Sequence, residues 1–288
     1  MIVGGGPAGM EAARVCATRG FDVILFEAAN HLGGQILLAA KGRTRRQIRG
    51  VADWLITQLE QLNVTIRTNC YAEAEEVLPE KPDIVVIATG GMPEPLNIAG
   101  ADYALSSWDV LYGEKLSGDV LLFDDRGDHQ AGVVADFMAS SVAQILFVTP
   151  DRGTLHELGP TNSSVVHRDL YQAGVAFFTN LDLVEIQREV DQYHVTLQNV
   201  LTKQNLTKTV DHVVVENGTR ANLEIYEALK PQSRNNGEID INALADGILK
   251  LPDYNSKGSF DLVRIGDAVS SRNIHAALYD ALRICSNY

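Results

Sequence analysis

Short apolar runs alternate with stretches of helical period along this chain. Met1 to Val3 leads into Gly4, and Met10 to Arg19 then sets Ala13, Cys16 and Ala17 on one face at helical spacing. Gly20 stands where a helix stop belongs. Val23 to Phe26 is a continuous apolar run suited to a buried parallel strand, and it closes on Glu27. Ile84 to Ala88 and Leu262 to Ile265 read the same way, ending in Thr89-Gly90-Gly91 and Gly266-Asp267. Asp119 to Phe123, Val133 to Ala139 and Gln144 to Thr149 read as strand, helix and strand. From Val175 to Val215 the pattern alternates, as in Tyr193-His194-Val195-Thr196-Leu197, which predicts antiparallel strands. A helix is expected from Ile274 to Ile284.

This order predicts an α/β fold with parallel central sheets: two Rossmann-like dinucleotide-binding domains, the second inserted into the first. At 288 residues the chain has room for two such units. The first is expected over 1–115 plus 241–288, with Pro93, Pro95 and Gly100 marking the exit from its sheet, and the second over 116–240.

Composition narrows the partners. A net charge of -13 opposes phosphate backbones and anionic lipid, which argues against nucleic-acid binding. No apolar run approaches the ~18 residues of a membrane span, and the N-terminus lacks the pattern of a secretory signal, so a cytoplasmic location is expected. Cys16, Cys70 and Cys285 are isolated, with no CxxC, and the histidines form no close ligand pair, so no metal site is expected. Redox chemistry would have to come from a bound cofactor.

Gly4, Gly6 and Gly9 form a GxGxxG loop enclosing Pro7 and Ala8, between a strand and a helix. In such a loop Gly4 permits the tight turn, Gly6 lets backbone approach a pyrophosphate, and Gly9 lets helix pack on strand while helix amides face the phosphates. Glu27 lies 27 minus 6, or 21, residues beyond the middle glycine, the spacing at which a carboxylate accepts from ribose hydroxyls. An acid there favours an unphosphorylated ribose, as in FAD or NAD.

With Gly33-Gly34-Gln35, Thr89-Gly90 after Ala88, and Gly266-Asp267, this loop resembles the flavoproteins with two dinucleotide-binding domains, the pyridine nucleotide–disulfide oxidoreductase fold. Within them the chain resembles the C-terminal part of the trimethylamine dehydrogenase, 2,4-dienoyl-CoA reductase and N-methyl amine demethylase family. The resemblance implies an FAD-dependent oxidoreductase or its cofactor-binding part. It places Gly33, Gly34 and Gln35 along the pyrophosphate, Thr89 and Gly90 beside the dinucleotide, and Asp267 on the ribityl chain. Relatives pair this module with an FMN barrel and an iron–sulfur cluster. Neither is in this sequence, so an FMN-barrel domain or subunit is the expected partner. The three residues before the glycine loop are also short for a buried first strand, so the chain is expected to be part of a longer polypeptide.

The second nucleotide loop, Asp124 to Gly132, keeps Gly127 and Gly132 but is not GxGxxG. Three carboxylates, Asp124, Asp125 and Asp128, stand where a pyrophosphate would bind, and like charges disfavour it unless Arg126 and His129 compensate. Thr149-Pro150-Asp151-Arg152 leaves NAD against NADP open. Lys41, Arg43, Arg45, Arg46 and Arg49 form the one dense basic stretch, read as a solvated loop and helix start or as a surface meeting phosphate. Three functions follow in order: an FAD-binding electron-transfer module, a non-catalytic module holding ADP or FAD, and a self-contained NAD(P)H-dependent flavin reductase.

Overall fold

The computed structural model describes all 288 residues. In chain order it runs β1 (Ile2–Val3), α1 (Pro7–Thr18), β2 (Ile24–Phe26), α2 (Gln35–Ala39), α3 (Arg49–Gln61), β3 (Thr65–Arg67), α4 (Ala74–Val77), β4 (Ile84–Ile87) and β5 (Gly91–Pro93). It continues through β6 (Leu105–Ser106), α5 (Ser107–Tyr112), β7 (Asp119–Asp124), α6 (His129–Met138), β8 (Gln144–Val148), α7 (Pro160–Gln172) and β9 (Ala176–Phe178). It ends with β10 (Leu181–Glu189), β11 (Gln192–Asn199), β12 (Asn205–Val210), β13 (His212–Glu216), β14 (Thr219–Ala221), α8 (Glu224–Leu229), α9 (Ile241–Ala245), β15 (Asp261–Arg264) and α10 (Ile274–Cys285). No helix is long and apolar enough to cross a membrane.

Two compact units emerge from the internal contacts. Unit 1 comprises Met1–Leu37, Ile48–Met92 and Arg220–Tyr288, and unit 2 comprises Leu38–Gln47 and Pro93–Thr219. These boundaries differ from 115/116 and 240/241. Residues 93–115 belong with unit 2 because β6 pairs in parallel with β13, Val214 opposite Leu105. Residues 220–240 belong with unit 1 because Ile225, Tyr226 and Leu229 of α8 bury with Phe260 and Leu262, and the Arg234 amide donates to the Phe260 carbonyl. The segment 38–47 sits in unit 2, where the backbone and guanidinium of Arg43 both bind Asp136. That pairing gives part of the basic stretch a structural role.

Unit 1 is built on the parallel sheet β15-β4-β1-β2-β3. Its apolar strands look featureless in sequence, yet period two divides their side chains between two cores. Ile2, Leu25, Val86 and Val263 face α1, α3 and α10, whereas Val3, Phe26, Ile87 and Leu262 face α4 and α8. Unit 2 repeats the plan as β6-β13-β7-β8-β9, all parallel. Val120 and Leu122 pack beneath α6, while Leu121 and Phe123 pack against the antiparallel sheet β10-β11-β12. The alternating stretch 175–215 is therefore only partly antiparallel, since β9 and β13 at its ends join the parallel sheet. In both sheets the chain winds outward on one side and then crosses back over the first strand. The carboxyl ends of β1 and β7 are thus the switch points where such folds place a ligand crevice.

Candidate functional site

At the carboxyl end of β1 the chain turns into α1 through Gly4-Gly5-Gly6. Gly4 has φ +109, and a Cβ there would collide with the Ala88 carbonyl, while a Cβ on Gly9 would collide with the Gly4 carbonyl. Glycine at these two positions is therefore required by the fold itself. Gly6 differs, with φ -75 and nothing within 4 Å of the position a Cβ would take. It is the N-cap of α1, with Pro7 at the helix start, no side-chain cap and no acid in the first turn. The first turn of α1 itself thus supplies no anion to the positive end of the helix dipole.

Glu27 lies just beyond β2. Its Oε2 accepts from the Gly5 amide at 2.7 Å and its Oε1 from the Ala29 amide at 2.7 Å, which fixes the carboxylate against the glycine loop. Gly33 donates its amide to the Gly5 carbonyl at 2.9 Å, and a Cβ on Gly34 would lie 3.0 Å from the Gly6 Cα. The strand-exit residues close around the same point. Ala88 donates to the Val3 carbonyl at 2.8 Å, the Thr89 hydroxyl donates to the Asn222 carbonyl at 2.7 Å, and Asn222 returns its amide to the Gly90 carbonyl at 3.0 Å.

Gln35 reaches from α2 to donate to Asp267 Oδ2 at 3.3 Å, and the Arg272 amide donates to Asp267 Oδ1 at 3.1 Å. Burial pushes the Asp267 carboxyl above its ordinary range, against these two bonds. Gly266, at φ +60, packs on Ala8. Its amide donates to buried Asp280, which also pairs with Arg272. The structure thus gathers Gly4, Gly6, Pro7, Ala8, Gly9, Glu27, Gly33, Gly34, Gln35, Ala88, Thr89, Gly90, Gly266 and Asp267 around one end of the unit 1 sheet.

A cavity of about 360 Å³ opens beside Gly4 and Glu27. Cys70, Tyr71, Ala72 and Asn222 wall it, and Tyr71 is held by a 2.8 Å bond from its hydroxyl to Glu224. Sequence reasoning missed these wall residues and Asp280. The wall comes from an irregular segment with no periodic signature. A signal for Asp280 was available, as an acid on the apolar side of an amphipathic helix next to Ala277, Ala281 and Ile284.

Residues 2–59 match the family model described as an NAD(P)-binding Rossmann-like domain. Over 99% of this chain the sequence is 41% identical to a protein of Rhizobium meliloti named as a probable N-methylproline demethylase, covering 42% of that protein. Over all of this chain it is 40% identical to an N,N-dimethylglycine/sarcosine dehydrogenase of Chromohalobacter salexigens, covering 43% of it. Among solved structures, histamine dehydrogenase from Rhizobium sp. 4-9 superposes with a TM-score of 0.82 at 24% identity, over 99% of this chain and 43% of that one, a likeness of fold. The chain spans less than half the length of these relatives. Their names and the matched domain mark it as an oxidoreductase or the cofactor-binding part of one, built to hold a dinucleotide.

Proposed function

We propose that this chain is the dinucleotide-binding part of a member of the trimethylamine dehydrogenase, 2,4-dienoyl-CoA reductase and N-methyl amine demethylase family, and that its unit 1 binds FAD. On this reading it carries electrons to or from a partner flavin domain of an amine-demethylating or enoate-reducing enzyme. The observation that supports it most is the uncapped α1 N-terminus beside open space at Gly6, with a fixed carboxylate at Glu27 next to it. Those amides and the dipole suit a pyrophosphate. Glu27 would accept from the adenosine ribose hydroxyls, and the Cys70 to Ala72 wall would receive the adenine. Gly33, Gly34 and Gln35 would flank the phosphates, Ala88, Thr89 and Gly90 would pass the dinucleotide at the exit of β4, and Asp267 beside Gly266 would accept from the ribityl chain, steadied by Gln35 and Arg272.

FAD, when bound, supplies the electron-carrying ring, and the chain supplies binding and orientation. No protein nucleophile is needed. The partner domain, an FMN barrel, would occupy part of the relatives' length that this chain does not match.

A second reading, a module holding only ADP, draws support from the cavity itself, which lies at the adenosine end of the path. Calorimetric titration separates the two. One FAD per chain is expected, displaced by excess ADP, with FAD bound more tightly. A folded chain that binds ADP and FAD equally would favour the structural reading, and one that binds neither would overturn both.

A further inference from the structure

The equivalent loop of unit 2 is built from the opposite materials. β7 ends at Asp124, which is fully buried and sits in parallel register beside Glu216, the buried last residue of β13. Asp124 Oδ1 accepts the amides of Arg126 and Gly127, both at 3.0 Å. Asp128 caps α6 and accepts the His129 amide at 2.6 Å. Amides at the end of a first strand and at the following helix start are the groups that meet a dinucleotide phosphate in this fold class. Here three of them are held by the chain's own carboxylates.

Space is closed as well as charge. A Cβ on Gly127 would collide with the His156 imidazole, so that ring lies directly on the loop. Leu155, fully buried and held at φ +52, packs against Gly132. The Glu157 amide ties this cover to the Gly127 carbonyl at 2.9 Å, and His156 is flanked by Asp151 and Glu157 carboxylates. Unit 1, by contrast, leaves its helix uncapped and its middle glycine uncovered.

We infer that the carboxyl groups of Asp124 and Asp128 occupy, as acceptors, the amides that would meet a phosphate in unit 2, and that with His156 as a cover they exclude nicotinamide dinucleotides from this unit. Asp124 and Asp128 are the specificity-determining residues. The inference stands on the geometry of unit 2 and does not depend on what unit 1 holds.

Hydrogen exchange of the full chain tests it, with FAD at saturation and NADH, NADPH or inorganic pyrophosphate added to about 1 mM, the upper end of ordinary substrate affinities. Exchange across 124–132 and 155–157 is expected to be unchanged by all three probes. Protection of those amides by any of them overturns the inference. The double variant Asp124→Ala/Asp128→Ala, if folded by circular dichroism, is expected to bind pyrophosphate at least about tenfold more tightly than the parent. A folded double variant with no gain would show that the carboxylates are not the excluding groups. Should that variant fail to fold, the wild-type exchange data decide alone.

Discussion

Gly6→Val separates holding a dinucleotide from holding the fold. Gly6 has φ -75 and ψ -176, backbone that valine adopts freely, and no atom lies within 4 Å of its Cβ position. Stability of the free chain should therefore change by no more than about 1 kcal/mol, the weak N-cap preference of valine being partly offset by a less flexible unfolded chain. The new side chain fills the space through which backbone amides would reach the pyrophosphate. Losing two amide bonds to a charged group, at about 1.5 to 3 kcal/mol each, weakens binding by about 3 to 6 kcal/mol, or roughly 10² to 10⁴ in Kd. Titration calorimetry with FAD reads the affinity, and thermal melting without FAD reads the fold. Gly9→Ala is the contrasting variant, since its Cβ would strike the Gly4 carbonyl. It should cost about 1 to 3 kcal/mol or more even without ligand. A Gly6→Val chain with undiminished FAD affinity would refute the assignment of this loop.

Other perturbations give distinct outcomes. Glu27→Gln keeps one of the two backbone bonds, turns an amide NH2 toward the other N–H and removes the charge offered to a ribose, so FAD affinity should fall about 10- to 100-fold and the free chain should lose about 1 to 3 kcal/mol, read by urea unfolding. Asp280→Ala strips a buried acceptor from the Gly266 amide and should destabilise by about 1 to 3 kcal/mol, measured by urea unfolding. Burial first, opposed by the Gly127 and Arg126 amides, pushes the Asp124 carboxyl up to about 7 from 3.8. Between those values the folded chain holds a proton that the unfolded chain releases, so stability falls as pH rises across the window, by about 4 kcal/mol in all. Asp124→Asn should remove that loss, so its advantage over the parent should be larger at pH 8 than at pH 5; an equal difference at both would contradict the assignment.

Much of this was legible in the chain because the first βαβ turn is local. Gly4 to Glu27 holds strand, loop, helix, stop, strand and acid within one short segment, and each element has its own sequence signature. The remaining parts of the candidate site come from distant segments, to which the motif resemblance points and periodicity does not. Legibility failed where a role depends on a long-range partner. Nothing local in Cys70 to Ala72 announces a cavity wall, and the domain boundary at Pro93 depends on Leu105 meeting Val214. The α6 start, four residues earlier than periodicity suggested, follows from the cap at Asp128, a carboxylate counted by sequence among charges in a phosphate loop. Asp124 shows the same limit, since sequence displays its charge but not the two amides it accepts.

The most direct test of the central claim is an absorbance spectrum of the purified full chain, mixed with FAD and passed through gel filtration. Flavin absorbance at ~450 nm is expected to travel with the protein at one FAD per chain, the cofactor carrying the redox chemistry. A folded chain emerging free of flavin would contradict it.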